Sequence, residues 1–135
     1  MPSPPSSHRP HRPRRRGERG AVGSVQMIVL MPLLIGLFLA AMQAALYYYG
    51  RSAAISIAQT GAAAAAAEHG TTADCQAAAA TLQAAIGDAI TDVHISCQRT
   101  ATRATTIVTG QALSVFPGWQ NPVSQRAAAP VERPT

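Results

Sequence analysis

The chain has 135 residues, a net charge of +5 and two cysteines. That length allows one small domain. The charge is local: Arg9, Arg12, Arg14, Arg15, Arg16 and Arg19 stand near the N-terminus against Glu18, while from Ser52 onward four arginines meet five acids for a net of −1. This excludes a folded domain that is basic as a whole, and no nucleic-acid partner is expected.

Residues 1–19 combine proline, serine and arginine with almost nothing apolar, so they cannot bury enough to order themselves. They read as a disordered basic arm beside anionic headgroups. Residues 20–50 follow with no charge between Arg19 and Arg51, and their apolar heart is residues 27–46. At about 1.5 Å per residue these twenty positions span roughly 30 Å, the hydrocarbon thickness of a bilayer. The expectation is a transmembrane helix, with the lipid bilayer as the chain's first partner. Arginine-rich flanks stay in the cytoplasm, which puts the N-terminus inside and the C-terminus outside a cell membrane.

Within this helix Gly36, Ala40 and Ala44 recur at spacings of four, with Gln43 beside them. In lipid such a stripe lets two backbones approach, and a glutamine can hydrogen-bond across the contact, so these four residues form an expected helix-packing face. Pro32 removes one backbone bond and loosens the helix locally. Tyr47, Tyr48 and Tyr49 are expected interface anchors. A basic start followed by an apolar run also describes a signal peptide, with cleavage near Ala44.

No strong breaker follows Tyr49, and residues 51–68 are alanine-rich, so the helix is expected to run on as one rod to Glu68, with Gly70 just beyond its end. Thr71 or Thr72 caps a second helix over residues 73–90, whose apolar face is Cys75, Ala79, Leu82, Ile86 and Ile90. The period then changes to two. Val93, Ile95 and Cys97 alternate with His94, Ser96 and Gln98 as a half-buried strand, and residues 105–115, broken at Gly110, supply a partner for a β-hairpin. Cys75 and Cys97 both lie on the outer, oxidising side, where they are expected to form a disulfide between the second helix and the first strand. Phe116 and Trp119 flank a Pro-Gly turn and are expected to cover the end of the core. Residues 117–135 read as a flexible tail.

The fold class is therefore a membrane-anchored α+β chain, with residues 51–116 as its extracytoplasmic domain. No paired carboxylates, CxxC, HExxH, phosphate-cradling glycine loop or serine elbow is present. Neither catalysis, nor a metal, nor a cofactor is expected.

Residues 17–68 resemble the start of the TadE/TadG-like family of tight-adherence (Flp-type) pilus proteins. Members carry a basic arm, a glycine, a short motif ending in glutamate, and a proline six residues later inside an apolar helix. Pro32, Tyr48, Arg51 and the alanines of residues 62–67 fit, and Gln26 stands where the glutamate would be. The resemblance implies a pilin-like layout and a pseudopilin or minor pilin of a pilus assembly or type II-like secretion system. Its partners would be other pilin-like or Tad-system membrane proteins, met through the helix. It also implies a prepilin peptidase acting at a motif of Gly20, Ala21 and Gln26; counted from Gln26, the cut falls after Ala21 instead of the more usual glycine. Two other readings share the topology: a membrane-tethered binding module unrelated to pili, and a secreted protein whose helix is removed.

Overall fold

The structure, a computed structural model, describes residues 1–3 and 18–133, with side chains from residue 23 onward in the second stretch. The expected basic arm lies almost wholly outside the described residues. The elements run α1 (Glu18–Ala66), α2 (Thr72–Ile86), β1 (Ile90–Arg99), β2 (Arg103–Ala112) and β3 (Asn121–Pro130). Contacts divide the chain into Met1–Leu37 and Phe38–Thr135. In the first unit, α1 is helical from Glu18 and contains Pro32 without being ended by it.

In the second unit, α1 continues unbroken past Tyr49 and through the alanines. Its core-facing stripe is built of small residues around one large side chain, Ile57. Gly50, Ala53, Ala54, Ile57, Ala58, Gly61, Ala62, Ala65 and Ala66 are buried, at the three- and four-residue spacing of one helix face. Small side chains let this helix lie close on the sheet: a Cβ at Gly50 would sit 2.7 Å from Ala112 Cβ, and one at Gly61 would sit 3.1 Å from Cys75 Sγ and from Thr106. The main core joins α1 to Ala79 of α2, Ala89, Ile90, Val108, Ala112 and Val123.

The helix ends at Ala66, two residues before the expected Glu68, and the chain turns with Gly70 N donating to Ala67 O at 2.9 Å. Its last turn holds no basic residue. The cation comes instead from β1: Arg99 Nη1 donates to Ala65 O at 2.7 Å, a carbonyl that the helix end leaves without a backbone partner, and to Ala67 O at 3.2 Å, which also accepts from Gly70 N.

Thr71 caps α2 in a reciprocal box. Asp74 N donates to Thr71 Oγ1 at 3.1 Å, and Thr71 N donates to Asp74 Oδ2 at 2.7 Å. The expected apolar face is correct as far as Ile86. Cys75 and Ala79 are buried, and Leu82 and Ile86 pack against the core from partial exposure. The helix stops there because Gly87 takes a positive φ of 72°, so Ile90 opens β1 instead of closing α2. Gln76 Nε2 donates to Ile95 O at 3.0 Å, which occupies an acceptor on the outer edge of β1.

The sheet is an antiparallel meander in the order β1-β2-β3. The expected hairpin is its first two strands. The expectation of a loose tail is overturned: within residues 117–135, Asn121–Pro130 is a strand paired with β2 along its length. Its alanines and two prolines look like a linker, yet an edge strand tolerates proline where no ladder bond is needed, and Val123 and Ala127 reach the core. Beyond β3, Val131 N donates to Thr102 O and Glu132 N to Ala66 O. The irregularity expected at Gly110 lies opposite it, in β1 between Thr91 and His94, where Asp92 takes a φ of 51°.

Alternation along the strands gives the sheet a packed face and an open one. Ala104, Thr106, Val108 and Ala112 of β2 are buried, whereas His94, Ser96 and Gln98 of β1 and Ser124, Arg126 and Ala128 of β3 are exposed. His94 is thus on the solvent side, as its place in the alternation implies.

Candidate membrane and helix-packing surfaces

α1 contains a stretch, within Gly23–Ala66, that is long and apolar enough to cross a membrane. The large side chains before Gln43 are almost all uncovered: Val25, Met27, Ile28, Val29, Leu30 and Met31, then Leu33, Leu34, Ile35, Leu37, Phe38 and Met42, are exposed. In water such a run would form an apolar patch far beyond what a monomeric soluble protein shows.

The expected packing face divides. Gly36 is open, with nothing within 4 Å of a Cβ placed there. Ala40 and Ala44 are exposed. Gln43 is not: it is half-buried against its own chain. Its Oε1 accepts from Val115 N at 2.8 Å and lies 3.2 Å from Ser114 Oγ. Its acceptor is thus taken by the loop after β2, a partner within its own chain that the packing expectation did not include. Val115 N–H requires an acceptor, which fixes the amide with Oε1 towards the loop and leaves Nε2 buried without a partner among the described residues.

Tyr47, Tyr48 and Tyr49 are exposed, with the Tyr47 and Tyr48 rings edge-to-face at 5.8 Å. One residue later Gly50 is buried. The tyrosines thus mark the point where α1 passes from bare to packed. Of the expected processing motif, Gly20 and Ala21 are helical positions in α1, and Gln26 is exposed.

Cys75 and Cys97 are joined in a disulfide with Cα atoms 6.2 Å apart, tying α2 to β1. Cys75 is fully buried, and its sulfur lies 3.1 Å from Thr106 Oγ1. Thr106 is a buried polar residue in the middle of the sheet that no sequence pattern singled out. Its hydroxyl finds this sulfur beneath Gly61, which is why a polar group is tolerated there.

The loop of residues 113–120 departs furthest from expectation. Phe116 and Trp119 do not cover the core. They lean on each other with ring centroids 6.2 Å apart, and they are exposed, as is Leu113. Pro117 and Gly118 occupy the middle of a turn closed by Trp119 N donating to Phe116 O at 3.2 Å, and the φ of 81° at Gly118 is one that glycine adopts without strain. The Ser114 hydroxyl accepts from Phe116 N and lies 3.1 Å from Phe116 O, so the loop is internally braced. The Pro-Gly pair announces a turn in the sequence. Nothing in it announces that the turn would be fastened to Gln43, 72 residues earlier.

Among the described residues no group of three His, Cys, Asp or Glu side chains is placed to hold a metal ion. No protein family, curated protein or solved structure matches the chain.

Proposed function

We infer that the chain is a structural, non-catalytic membrane protein: a TadE-like pseudopilin or minor-pilin component of a tight-adherence pilus assembly or related secretion system. Its N-terminus is cytoplasmic, and the domain after Tyr49 lies on the outer side. The observation that carries this reading is the division of labour along α1. Its first part leaves an apolar surface bare, while the part from Gly50 onward is the scaffold on which the sheet is laid. One helix is thus both anchor and spine, as the resemblance of residues 17–68 implies for a pilin-like chain.

Two features support the details. The arginine flank supports the orientation, and the pairing of Cys75 with Cys97 is compatible with an outer side where thiols are oxidised. The helix also runs unbroken through Ala44 while Gln43 holds the loop, which supports its retention in the mature protein.

Sequencing the N-terminus of protein isolated from its own membrane tests the reading. A start at Ala21 or Val22 is the outcome expected of prepilin processing. An intact Met1 would leave a membrane-anchored chain without it, and a start near Ala45 would sink the anchored reading in favour of a secreted protein. Cysteine substitutions at Gly36 and Ala40 should give crosslinks to a second pilin-like helix. Their failure in membranes containing the assembled system would favour a tethered binding module.

A further inference from the structure

We propose that the loop of residues 113–119 is a second, shallow membrane anchor, seated in the headgroup layer of the leaflet that α1 leaves. The proposal rests on the reading of α1 as a membrane span. Its starting point is a depth. Val115 and Ser114 are held to Gln43, and Gln43 lies four residues before Tyr47. Along a helix that is about 6 Å, measured back from the tyrosines into the apolar run. The headgroup layer of one leaflet is itself roughly 5–7 Å thick. A loop fastened at Gln43 therefore lies at the inner boundary of the headgroup layer, where the apolar run of residues 27–46 enters the hydrocarbon, and not above the lipid.

The loop's composition fits that place. Residues 112–120 carry no charge, and the outward side chains are Leu113, Phe116 and Trp119. Trp119 is 63 % exposed and Phe116 41 %, so two aromatic rings with one indole N–H stand uncovered. Such rings favour the boundary between apolar and wet regions. Water would be a poor surrounding for three large apolar side chains gathered on one short loop, and the core does not take them. The occupant that suits both their chemistry and their depth is the lipid interface. The Gln43 amide, otherwise a costly group within an apolar run, has the task of fixing the loop at that level. The outer domain would then be held at two points and could not swing freely about the exit of α1.

Trp119 is the single tryptophan of the chain, so its fluorescence reports on the loop alone. The full chain is reconstituted in phosphatidylcholine vesicles, plain or carrying bromine high or deep on the acyl chain. The expected result is emission shifted to shorter wavelength, strongly quenched by shallow bromine and less by deep bromine. In Gln43→Ala the loop is released, and both the shift and the quenching should diminish while the chain stays in the vesicles. Emission at the position of water-exposed indole, unquenched by either lipid in a chain that floats with the vesicles, would overturn the loop anchor and leave the α1 span standing. A chain that does not float with vesicles at all would overturn both.

Discussion

Replacing Gly50 with alanine sets two effects of opposite sign against each other. In an exposed helix interior the exchange would stabilise by about 1 kcal/mol, since alanine is the better helix former. At Gly50 the new methyl would stand 2.7 Å from Ala112 Cβ and 3.3 Å from both Ala112 Cα and Ala89 O. None of those atoms is the end of a flexible side chain, so relief requires α1 or β2 to move. Overpacking of this kind costs about 1–3 kcal/mol, and after subtracting the propensity gain the variant should lose about 1 kcal/mol. For a unit of this size that lowers the melting temperature by about 4–8 °C. Thermal unfolding of the full chain in detergent, followed by circular dichroism, reads this directly. Gly36→Ala is the control: with nothing within 4 Å of the added methyl, it should show no such loss. Adding Ala112→Gly to Gly50→Ala removes the nearest clashing atom, so the pair should be more stable than the sum of the single changes implies. A Gly50→Ala protein that melts higher than the parent, with additive behaviour in the double variant, would refute the close approach of α1 to β2.

Removing both cysteines, or reducing the disulfide, frees a 22-residue separation in the unfolded chain and should lower stability by roughly 3 kcal/mol, read by denaturant titration with and without reductant. Arg99→Ala leaves the carbonyls of Ala65 and Ala67 without their cation and should cost about 1 kcal/mol, with faster amide exchange confined to the last turn of α1. The hydrogen bonds from the Thr71 hydroxyl and backbone N–H hold the Asp74 carboxyl below its ordinary 3.8. Because the folded value is the lower one, the stability it lends is complete above 3.8 and is lost as pH falls through the folded value. The melting temperatures of the parent and Asp74→Asn should therefore draw together in acid; a gap that stays constant to the lowest pH would contradict the capping box as the source.

What the sequence disclosed follows from how local each signal is. The apolar run, the capping Thr71, the strand alternation at Val93, Ile95 and Cys97 and the pairing of the two cysteines are all written in neighbouring residues or in compartment chemistry. The third strand is not. Ala127, Ala128 and Ala129 carry little β propensity, and their strand exists because β2 offers them a complete row of backbone partners. The loop partner of Gln43 was not legible for a related reason. Its polarity within an apolar helix signals a hydrogen bond, but not whether the partner lies on another chain or on residues 114–115 of its own. Phe116 and Trp119 were expected to be buried because aromatic residues usually are, and only the tethered geometry shows them turned outward.

The alanine stripe of α1 has a consequence at the level of the gene. A single-base change in an alanine codon gives valine, threonine, serine, proline, aspartate, glutamate or glycine, and all but glycine are larger. Ala54, Ala58, Ala62 and Ala65 are almost completely buried, so nearly every one-step variant there pushes the helix off the sheet, charges the core or breaks the helix. The segment that looks most like low-information filler should thus be the least free to drift. In a population of such genes, silent substitutions should far outnumber amino-acid changes at these four codons, and changes should collect at the exposed Ala63 and Ala67 beside them.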